Sequence, residues 1–237
     1  MAQDLILSGP SFLPEDETKR AVVFFHGYGA NGHDLYGLSS FLKWSLPQTA
    51  FYFPNAPQPV SGAEIFGGRQ WFDLSMYDPS SMVNDKEVIE RFCRSVLPMA
   101  KETLAYTSAY VEQVCDIHGL DLSQVAIAGF SQGGMMALYT ALTLSRPVAC
   151  AVGMSAVPVV FDDKVFGISD IVSKPEVTLI HGDCDDVVPL LAYRVNLENM
   201  DRAEVPATGF IVEGLMHGID DTAGYHLKNA LKAGLKV

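Results

Sequence analysis

The chain has 237 residues, of which 49% are hydrophobic, and its formal net charge at pH 7 is −12. The acidic balance argues against nucleic-acid binding and against docking on anionic membranes, because both need clustered Lys and Arg. No apolar run reaches the ~18 residues of a membrane span, and the N-terminus lacks the basic region of a signal peptide. The four cysteines contain no CxxC spacing. We therefore expect a cytoplasmic protein with reduced thiols and a single domain over residues 1–237.

Short apolar runs alternate with helical patterns along the chain. The runs predict six buried strands, at residues 21–26, 50–53, 125–129, 148–153, 177–181 and 208–213, with an extra edge strand at 4–7. Helical spacing of apolar residues predicts helices over 84–118, 132–144, 190–200 and 219–235. Pro98 is expected to kink or divide the first of them. The alternation predicts an α/β fold with a mostly parallel sheet covered on both faces.

Residues 54–83 fit neither period. This stretch is rich in Gly and Pro but also contains Phe66, Trp71 and Phe72. Loops of this length in compact domains are usually functional or disordered, and the aromatic residues argue against disorder. The stretch is interpreted as an ordered loop over the active site; the alternative is a surface excursion whose aromatics only anchor it.

A nucleophile motif stands between a predicted strand and a predicted helix. Residues 129–133 read G-x-S-x-G, and the strand–turn–helix setting is what a nucleophile elbow requires. The glycines remove Cβ atoms where strand and helix crowd, which lets Ser131 occupy a strained backbone conformation. The alternative is a Gly-rich turn with a capping serine.

A serine nucleophile needs a base, and the partners follow it in the order acid, then histidine. His181, His217 and His226 lie after Ser131. His181 comes before the candidate acids, and His226 lies in the middle of the last helical pattern. His217 follows the final strand between two glycines, so it is the predicted base.

Three carboxylates compete for the role of the acid: Asp183, Asp185 and Asp186. The common hydrolase pattern G-x-x-D-x-x-V-P fits in register when Asp185 is the acid, so we prefer it to Asp186. Its role would be to fix the tautomer of His217 and to stabilise the imidazolium.

The oxyanion hole needs two backbone N–H groups. One should come from the residue after the nucleophile, Gln132, and the other from the loop after an early strand, where Tyr28 is the candidate. The glycines around Tyr28 could also suggest a phosphate loop, but the P-loop spacing and its lysine are absent.

Six segments carry a family resemblance: FFHGYGANGHDL, FPNAPQPV, WFDL, GFSQGGMMALYTAL, LIHGDCDDVVPL and EGLMHGI, in that order along nearly the whole chain. In these segments the chain resembles the phospholipase/carboxylesterase family of α/β hydrolases, which includes acyl-protein thioesterases. The resemblance implies an α/β-hydrolase fold, a triad of Ser131, Asp185 and His217, and an oxyanion hole built by the Tyr28 and Gln132 amides.

The chain also departs from the family pattern. Asp186 stands where acyl-protein thioesterases usually have proline, and the 54–83 loop differs from theirs in length and detail apart from WFD. Because that loop shapes the acyl site in the family, the chemistry transfers more safely than the substrate. By position, Phe66, Trp71 and Val187 are predicted walls of the acyl pocket; plain loop packing is the alternative for each.

Together these features predict a serine carboxylesterase that hydrolyses esters or thioesters of short to medium acyl chains through an acyl-enzyme. The expected partner is a small-molecule or lipid-like acyl ester, no metal or organic cofactor is expected, and family members often form a homodimer. A lysophospholipase or acyl-protein thioesterase is the alternative. A non-catalytic acyl-ligand receptor fits the intact triad less well, and a serine peptidase would usually need an additional propeller or cap.

Overall fold

The computed structural model describes residues 6–62, 67–75 and 85–237. Within them, seven strands form one sheet and two short strands form a separate antiparallel pair. In chain order the nine strands are β1 (Ser11–Phe12), β2 (Arg20–Phe25), β3 (Thr49–Tyr52), β4 (Gln58–Pro59), β5 (Arg69–Gln70), β6 (Val125–Phe130), β7 (Cys150–Met154), β8 (Val177–Gly182) and β9 (Ala207–Val212). The large sheet has the order β1-β3-β2-β6-β7-β8-β9, and only the β1–β3 pair is antiparallel.

Helices cover both faces of this sheet. The five α-helices of the described ranges are α1 (Gly32–Leu42), α2 (Lys86–His118), α3 (Gln132–Thr143), α4 (Leu190–Arg202) and α5 (Asp221–Leu235). One apolar core lies between the sheet and α2, α3 and α4, and a second lies between the sheet and α1 and α5. Alternate residues of β2 supply the two cores, since Val23 belongs to the first and Phe24 to the second. The doubly covered, mostly parallel sheet predicted from the sequence is confirmed.

The six predicted strands are present with their bounds shifted by two residues or fewer, but both sheet edges differ from expectation. The predicted edge strand at 4–7 is not observed at Ile6 and Leu7, while its first two residues lie outside the described ranges. Strand β1 forms that edge instead. Strand β9 forms the other edge of the sheet. The sequence predicts a strand covered on both faces there, but Ile211 is half exposed.

Helix α1 is absent from the sequence-based prediction. Its N-terminus is stabilised by a capping box, in which the Asn31 side chain accepts from the His33 N–H and the Asp34 side chain accepts from the Asn31 N–H. The helix itself contains glycines, which argue against a helix on propensity alone, and for this reason the sequence does not predict it.

Helix α2 runs through Pro98 without interruption. Proline removes one backbone hydrogen bond of a helix, but Pro98 lies on the solvent side, where water can satisfy the freed carbonyl group. Buried Val96, Leu97 and Ala100 on either side pack against the core and hold both halves in one helix. Of the two expected effects of Pro98, a kink or a division, the division does not occur. None of the helices described here combines the length and the apolar character needed to cross a membrane.

The turn from β6 into α3 lies very close to the end of β2. A Cβ atom on Gly133 would lie 2.2 Å from the Phe25 carbonyl oxygen and 2.3 Å from that of His26. A Cβ atom on Gly129 would lie 2.1 Å from the Gly133 oxygen. Both positions therefore exclude a side chain, and the close approach fixes where the first turn of α3 begins relative to the sheet.

We expect Gly133→Ala to lower the free energy of unfolding by about 3 kcal/mol, because the new methyl group would displace the backbone of β2. Gly37→Ala is the matched control: Gly37 lies in α1 with no atom near its Cβ position, so alanine should stabilise the protein by roughly 0.5–1 kcal/mol. Urea unfolding followed by circular dichroism measures both. Equal stability of the two variants would contradict the close approach.

Candidate active site

Ser131 occupies a strained backbone conformation at the N-terminus of α3. Its φ is 55° and its ψ is −119°, and its hydroxyl makes no capping bond to the helix. The neighbourhood holds this conformation in place, since the Ser131 N–H donates to the Met154 carbonyl (2.9 Å) and the Ser131 carbonyl accepts from the amides of Gly134 (3.0 Å) and Val157 (3.3 Å). The hydroxyl is therefore left available at the edge where the parallel strands end.

Asp185 is a buried, ionised carboxylate in the turn after β8. Its Oδ1 accepts hydrogen bonds from the amides of Val187 (3.0 Å) and Val188 (2.8 Å), and its side chain is inaccessible to solvent. Burial acts to raise the pKa of this carboxyl group, but the hydrogen bond and charge of His217 and the two amides outweigh burial, so the pKa lies below its usual value.

His217 lies on the loop after β9 and points one ring nitrogen at Asp185. Its Nδ1 is 3.0 Å from Asp185 Oδ1 and 2.9 Å from Oδ2. Since an ionised carboxylate can only accept, Nδ1 carries the hydrogen and donates it, which leaves Nε2 of the neutral ring as an acceptor. The Phe130 ring packs against the imidazole with a centroid distance of 4.7 Å, so the ring is held from two sides.

Hydrogen bonds tie the loop of the acid to the loop of the histidine. Asp183 Oδ1 accepts from the Gly214 N–H (2.6 Å), and the Cys184 N–H donates to the Leu215 carbonyl (3.1 Å). Gly214 has a φ of 73°, a conformation that favours glycine. Asp183, the competing carboxylate, therefore serves to join the two loops. The joined loops hold Asp185 and His217 at a set separation.

A second histidine lies behind the carboxylate. His181 is buried, its Nε2–H donates to the Val188 carbonyl (2.8 Å), and the same nitrogen lies 3.5 Å from Asp185 Oδ2. Burial lowers the pKa of His181, so the ring stays neutral and adds no full charge beside the acid.

Ser131 and His217 open into one cavity of about 350 Å³. The walls are mostly apolar, and the full lining is Tyr28, Leu74, Ser75, Phe92, Ser131, Val157, Val187, Val188 and His217. No hydrogen bond joins the Ser131 hydroxyl to His217 within the described residues. The cavity thus brings the candidate nucleophile and base to the same surface. Leu74 and Ser75 of its wall belong to the 54–83 loop, which was predicted to lie over the site.

Of the two predicted oxyanion donors, Tyr28 lines this cavity, and Gln132 directly follows Ser131 in the chain. Tyr28 lies in the turn after β2, and Gln132 is the first residue of α3. In the part of the chain that the structure describes, neither backbone N–H has a hydrogen-bond acceptor. Free amides at a helix N-terminus and a neighbouring turn favour a developing negative charge.

The Gln132 side chain has a separate structural role that sequence reasoning did not find. Its Oε1 accepts from the Trp71 N–H (3.0 Å), and its Nε2 donates to the Phe72 carbonyl (2.7 Å). The fully buried amide thereby fixes the chain just before Leu74. A polar residue in an otherwise apolar first helical turn was the only signal for this role in the sequence.

Trp71 lies behind the cavity and not on its wall, contrary to its predicted position in the acyl pocket. Its side chain is 0% exposed, its Nε1–H donates to the His26 carbonyl (2.8 Å), and its ring packs against Phe25 at a centroid distance of 4.9 Å. An indole that finds both a polar partner and an apolar neighbour in the core is stable there. Val187 does line the cavity, and Phe66 lies outside the described residues.

His26 is another buried polar group near the site, and it holds the Tyr28 turn in place. Its Nε2 accepts from the Ala56 N–H (2.9 Å), so its Nδ1 carries the hydrogen that bonds the Gly27 carbonyl (2.7 Å). Burial lowers the pKa of His26 to about 4, against an ordinary value near 6.5. The neutral ring connects the Tyr28 turn to the segment around Ala56.

No group of three or more His, Cys, Asp or Glu side chains in residues 6–62, 67–75 and 85–237 is arranged to hold a metal ion. The groups brought together at the sheet edge are a strained serine, a histidine with a free ring nitrogen, a buried carboxylate and two unpaired amides. This set of groups is suited to acyl transfer through a covalent intermediate.

Comparisons with known proteins agree with this chemistry. The sequence model of the family described as Phospholipase/Carboxylesterase matches residues 12–233. Acyl-protein thioesterase 1 of Saccharomyces cerevisiae is 26% identical over 228 residues, which cover 89% of this chain and 93% of the yeast protein. The crystal structure of esterase PE8 is 32% identical, with a TM-score of 0.82 and coverage of 95% of this chain and 98% of the other.

The crystal structure of Arabidopsis thaliana SOBER1 superposes with a TM-score of 0.73 over 92% of this chain and 100% of the other. Its sequence is 23% identical, so this likeness supports the fold alone.

We expect His26 to make the protein less stable as the pH falls from 6.5 to 4. In that window His26 binds a proton in the unfolded chain but not in the folded protein. This difference lowers the free energy of unfolding by about 3 kcal/mol. Urea titrations across the window should show a shallower pH dependence for His26→Gln than for the wild type. His33→Gln, a change at an exposed histidine, should keep the wild-type dependence; identical curves for all three proteins would contradict the assignment.

Proposed function

The chain belongs to the phospholipase/carboxylesterase family and is a serine hydrolase of the α/β-hydrolase superfamily, and we propose that it cleaves carboxylic esters or thioesters of short to medium acyl chains through an acyl-enzyme on Ser131. The observation that supports this most strongly is the position of His217. Both oxygens of Asp185 hold its Nδ1, and its ring faces the same cavity as the strained serine.

In the first half of the reaction, His217 Nε2 takes the hydroxyl proton of Ser131 while Oγ attacks the carbonyl carbon of the substrate. The carbonyl oxygen becomes an oxyanion, which accepts hydrogen bonds from the Tyr28 and Gln132 amides. When the intermediate collapses, the protonated His217 donates its proton to the departing alcohol or thiol, and the acyl group stays on Ser131.

In the second half, water replaces the serine as nucleophile. His217 takes a proton from water as its oxygen attacks the acyl carbon, and the same two amides stabilise the second oxyanion. Collapse returns the proton from His217 to the serine oxygen and releases the carboxylic acid. Asp185 stays ionised throughout, since its pKa lies below the usual range. Because catalytic hydrogen bonds often tighten only when substrate binds, the Ser131–His217 contact is expected to form in the substrate complex.

The walls of the cavity support an uncharged acyl chain as the group it binds. Leu74, Phe92, Val157 and Val187 present hydrocarbon to a space of about 350 Å³, and its lining contains no Lys, Arg, Asp or Glu. The yeast relative is named an acyl-protein thioesterase, so an acyl group carried on a protein is the alternative to small esters and thioesters as the natural substrate.

A cytoplasmic location and a homodimer are the finer parts of this proposal. All four cysteines are free thiols, three of them buried, which fits a reducing compartment. Light scattering after size exclusion measures the oligomeric state directly.

Replacing the acid should abolish most of the activity. Asp185→Asn removes the charge that holds His217 in its donor tautomer, and we expect kcat to fall by roughly 10³- to 10⁴-fold, as for triad acids in general. Asp186→Asn is the matched control, since its side chain lies next in sequence but faces solvent, and it should stay within about twofold of the wild type. Initial rates on p-nitrophenyl butyrate measure both; a larger loss for Asp186→Asn would reverse the assignment.

The nucleophile can be identified independently by covalent labelling. A fluorophosphonate should add one phosphonyl group to Ser131, with the mass located by peptide mass spectrometry, and Ser131→Ala should neither be labelled nor turn over ester. Ester turnover by Ser131→Ala would refute the acyl-enzyme. Labelling without turnover of any ester or thioester would favour the non-catalytic acyl-ligand receptor.

Chain-length preference should follow the volume of the cavity. Each CH₂ that enters adds about 0.8 kcal/mol of burial, so kcat/KM should rise by roughly fourfold at most per carbon until the cavity is full. Val187→Phe narrows the cavity and should move the optimum of a p-nitrophenyl ester series to shorter chains. Val172→Phe, which adds the same ring at an exposed site away from the cavity, should leave the optimum in place. An unchanged optimum in Val187→Phe would place the acyl chain elsewhere.

A further inference from the structure

The turn that carries Tyr28 has little to hold it in place from within. Its internal backbone bond runs from the Ala30 N–H to the Gly27 carbonyl at 3.3 Å, and Gly29 has a φ of 77°. The Tyr28 side chain is exposed and cannot anchor its own amide. An amide that must stabilise an oxyanion needs a fixed position, because preorganisation is the source of its effect.

The main chain of Arg69 supplies that support from outside. The Gly29 N–H donates to the Arg69 carbonyl (2.9 Å), and the Arg69 N–H donates to the Ala30 carbonyl (2.9 Å). The two bonds thus join the Arg69 backbone to both residues that follow Tyr28. A displacement of Arg69 would move the Tyr28 amide with it.

The guanidinium group of Arg69 fixes this backbone in turn. Its Nε donates to the Ala56 carbonyl (2.6 Å), and its Nη2 donates to the Pro57 carbonyl (2.8 Å). No carboxylate of the described residues lies within ion-pair distance of the group, which is half buried. A planar fork with several donors can reach two successive carbonyls at once, whereas a lysine ammonium is a single point on a flexible stem.

The segment that contains Ala56 also supports the other side of the turn, through His26. The Ala56 N–H donates to His26, whose other ring nitrogen bonds the Gly27 carbonyl. Arg69 therefore touches the Tyr28 turn directly through Gly29 and Ala30 and indirectly through Ala56 and His26. The second proposed donor, the Gln132 amide, belongs to α3 and makes no hydrogen bond with Arg69.

From this network we propose that Arg69 is a positioning residue for catalysis: its guanidinium and main chain hold the Tyr28 amide where the oxyanion develops. The proposal rests on the oxyanion hole of the proposed function. Arg69 acts through the turn and not on the substrate, so its loss should lower kcat and leave KM nearly unchanged. Because removal of a whole oxyanion donor costs about 10²- to 10³-fold in kcat, a displaced donor should cost roughly 10- to 100-fold.

Arg69→Gln and Arg69→Lys test this assignment, with Arg94→Gln as the matched control. Arg94 lies exposed on α2 and pairs with Glu90, so its variant should keep wild-type kcat and KM. Arg69→Gln should lose roughly 10- to 100-fold in kcat on p-nitrophenyl butyrate. Arg69→Lys, which can keep one of the two carbonyl bonds, should lose less.

An alkyl trifluoromethyl ketone supplies a readout that a purely structural role would not move. It forms a tetrahedral adduct with an oxyanion, so its inhibition constant should rise in proportion to the loss of kcat/KM, while KM and the urea midpoint stay near the wild type. The proposal is overturned if kcat of the folded variants stays within about twofold of the wild type, or if kcat falls without a parallel loss of ketone affinity. If Arg69→Gln does not fold, Arg69→Lys carries the same comparison.

The outcome can be separated from a failure of the proposed function. Fluorophosphonate labelling of Ser131 in the wild-type protein tests the acyl-enzyme without reference to Arg69. A labelled, active wild type with unaffected Arg69 variants would refute only the positioning role. An unlabelled wild type, with activity retained in Ser131→Ala, would refute the proposed function.

Discussion

At the Ser131 turn the backbone of Gly133 lies so close to the carbonyl groups that end β2 that no side chain fits between them. This contact couples two neighbouring parallel strands at their carboxyl ends. The first turn of α3, which begins at Gln132, therefore lies next to the end of β2 and the turn after it, where Tyr28 lies. In the proposed reaction the amides of Tyr28 and Gln132 act on one oxygen, so the distance between these two elements has to be fixed.

The strain at Ser131 is sustained by this contact. A non-glycine residue with a φ of 55° costs about 1–3 kcal/mol and persists only where the surroundings over-determine it. Here the Ser131 N–H is bound to Met154 of β7, and its carbonyl is bound to the first turn of α3 and to Val157. Contacts with β2, β6, β7 and α3 therefore stabilise the strained backbone conformation of Ser131.

Burial and hydrogen bonding determine which of the titratable side chains near this hydroxyl are charged. His26 and His181 are both buried with lowered pKa values, so they act as neutral hydrogen-bonding groups that hold loops in place. Asp185 is buried too, yet its hydrogen bonds keep it ionised. His217 lies beside that carboxylate and lines the cavity, which is why it is the histidine proposed as the base.

How far the sequence could predict this arrangement follows from which interactions are local. The strand–turn–helix around Ser131, the order of the partners and the choice of Asp185 depend on short patterns, and each of these residues was brought into or beside one site. The capping box of α1 was also local but was masked by glycines. The roles of Trp71 and of the Gln132 side chain depend on a contact between residues about sixty positions apart, for which no short pattern exists.

The same distinction explains why the chemistry of a family is easier to transfer than its substrate at 26% or 32% identity. The proposed catalytic frame depends on backbone contacts and hydrogen bonds that tolerate few residue types: glycine at 133, a carboxylate at 185, an imidazole at 217. The acyl wall needs only hydrocarbon of suitable volume, and many combinations of Leu, Val and Phe fill such a space equally well. The bonds that hold Ser131 come from the backbone of Met154, Gly134 and Val157, so a change of side chain at Leu74, Phe92 or Val187 can alter the acyl wall while those bonds stay in place.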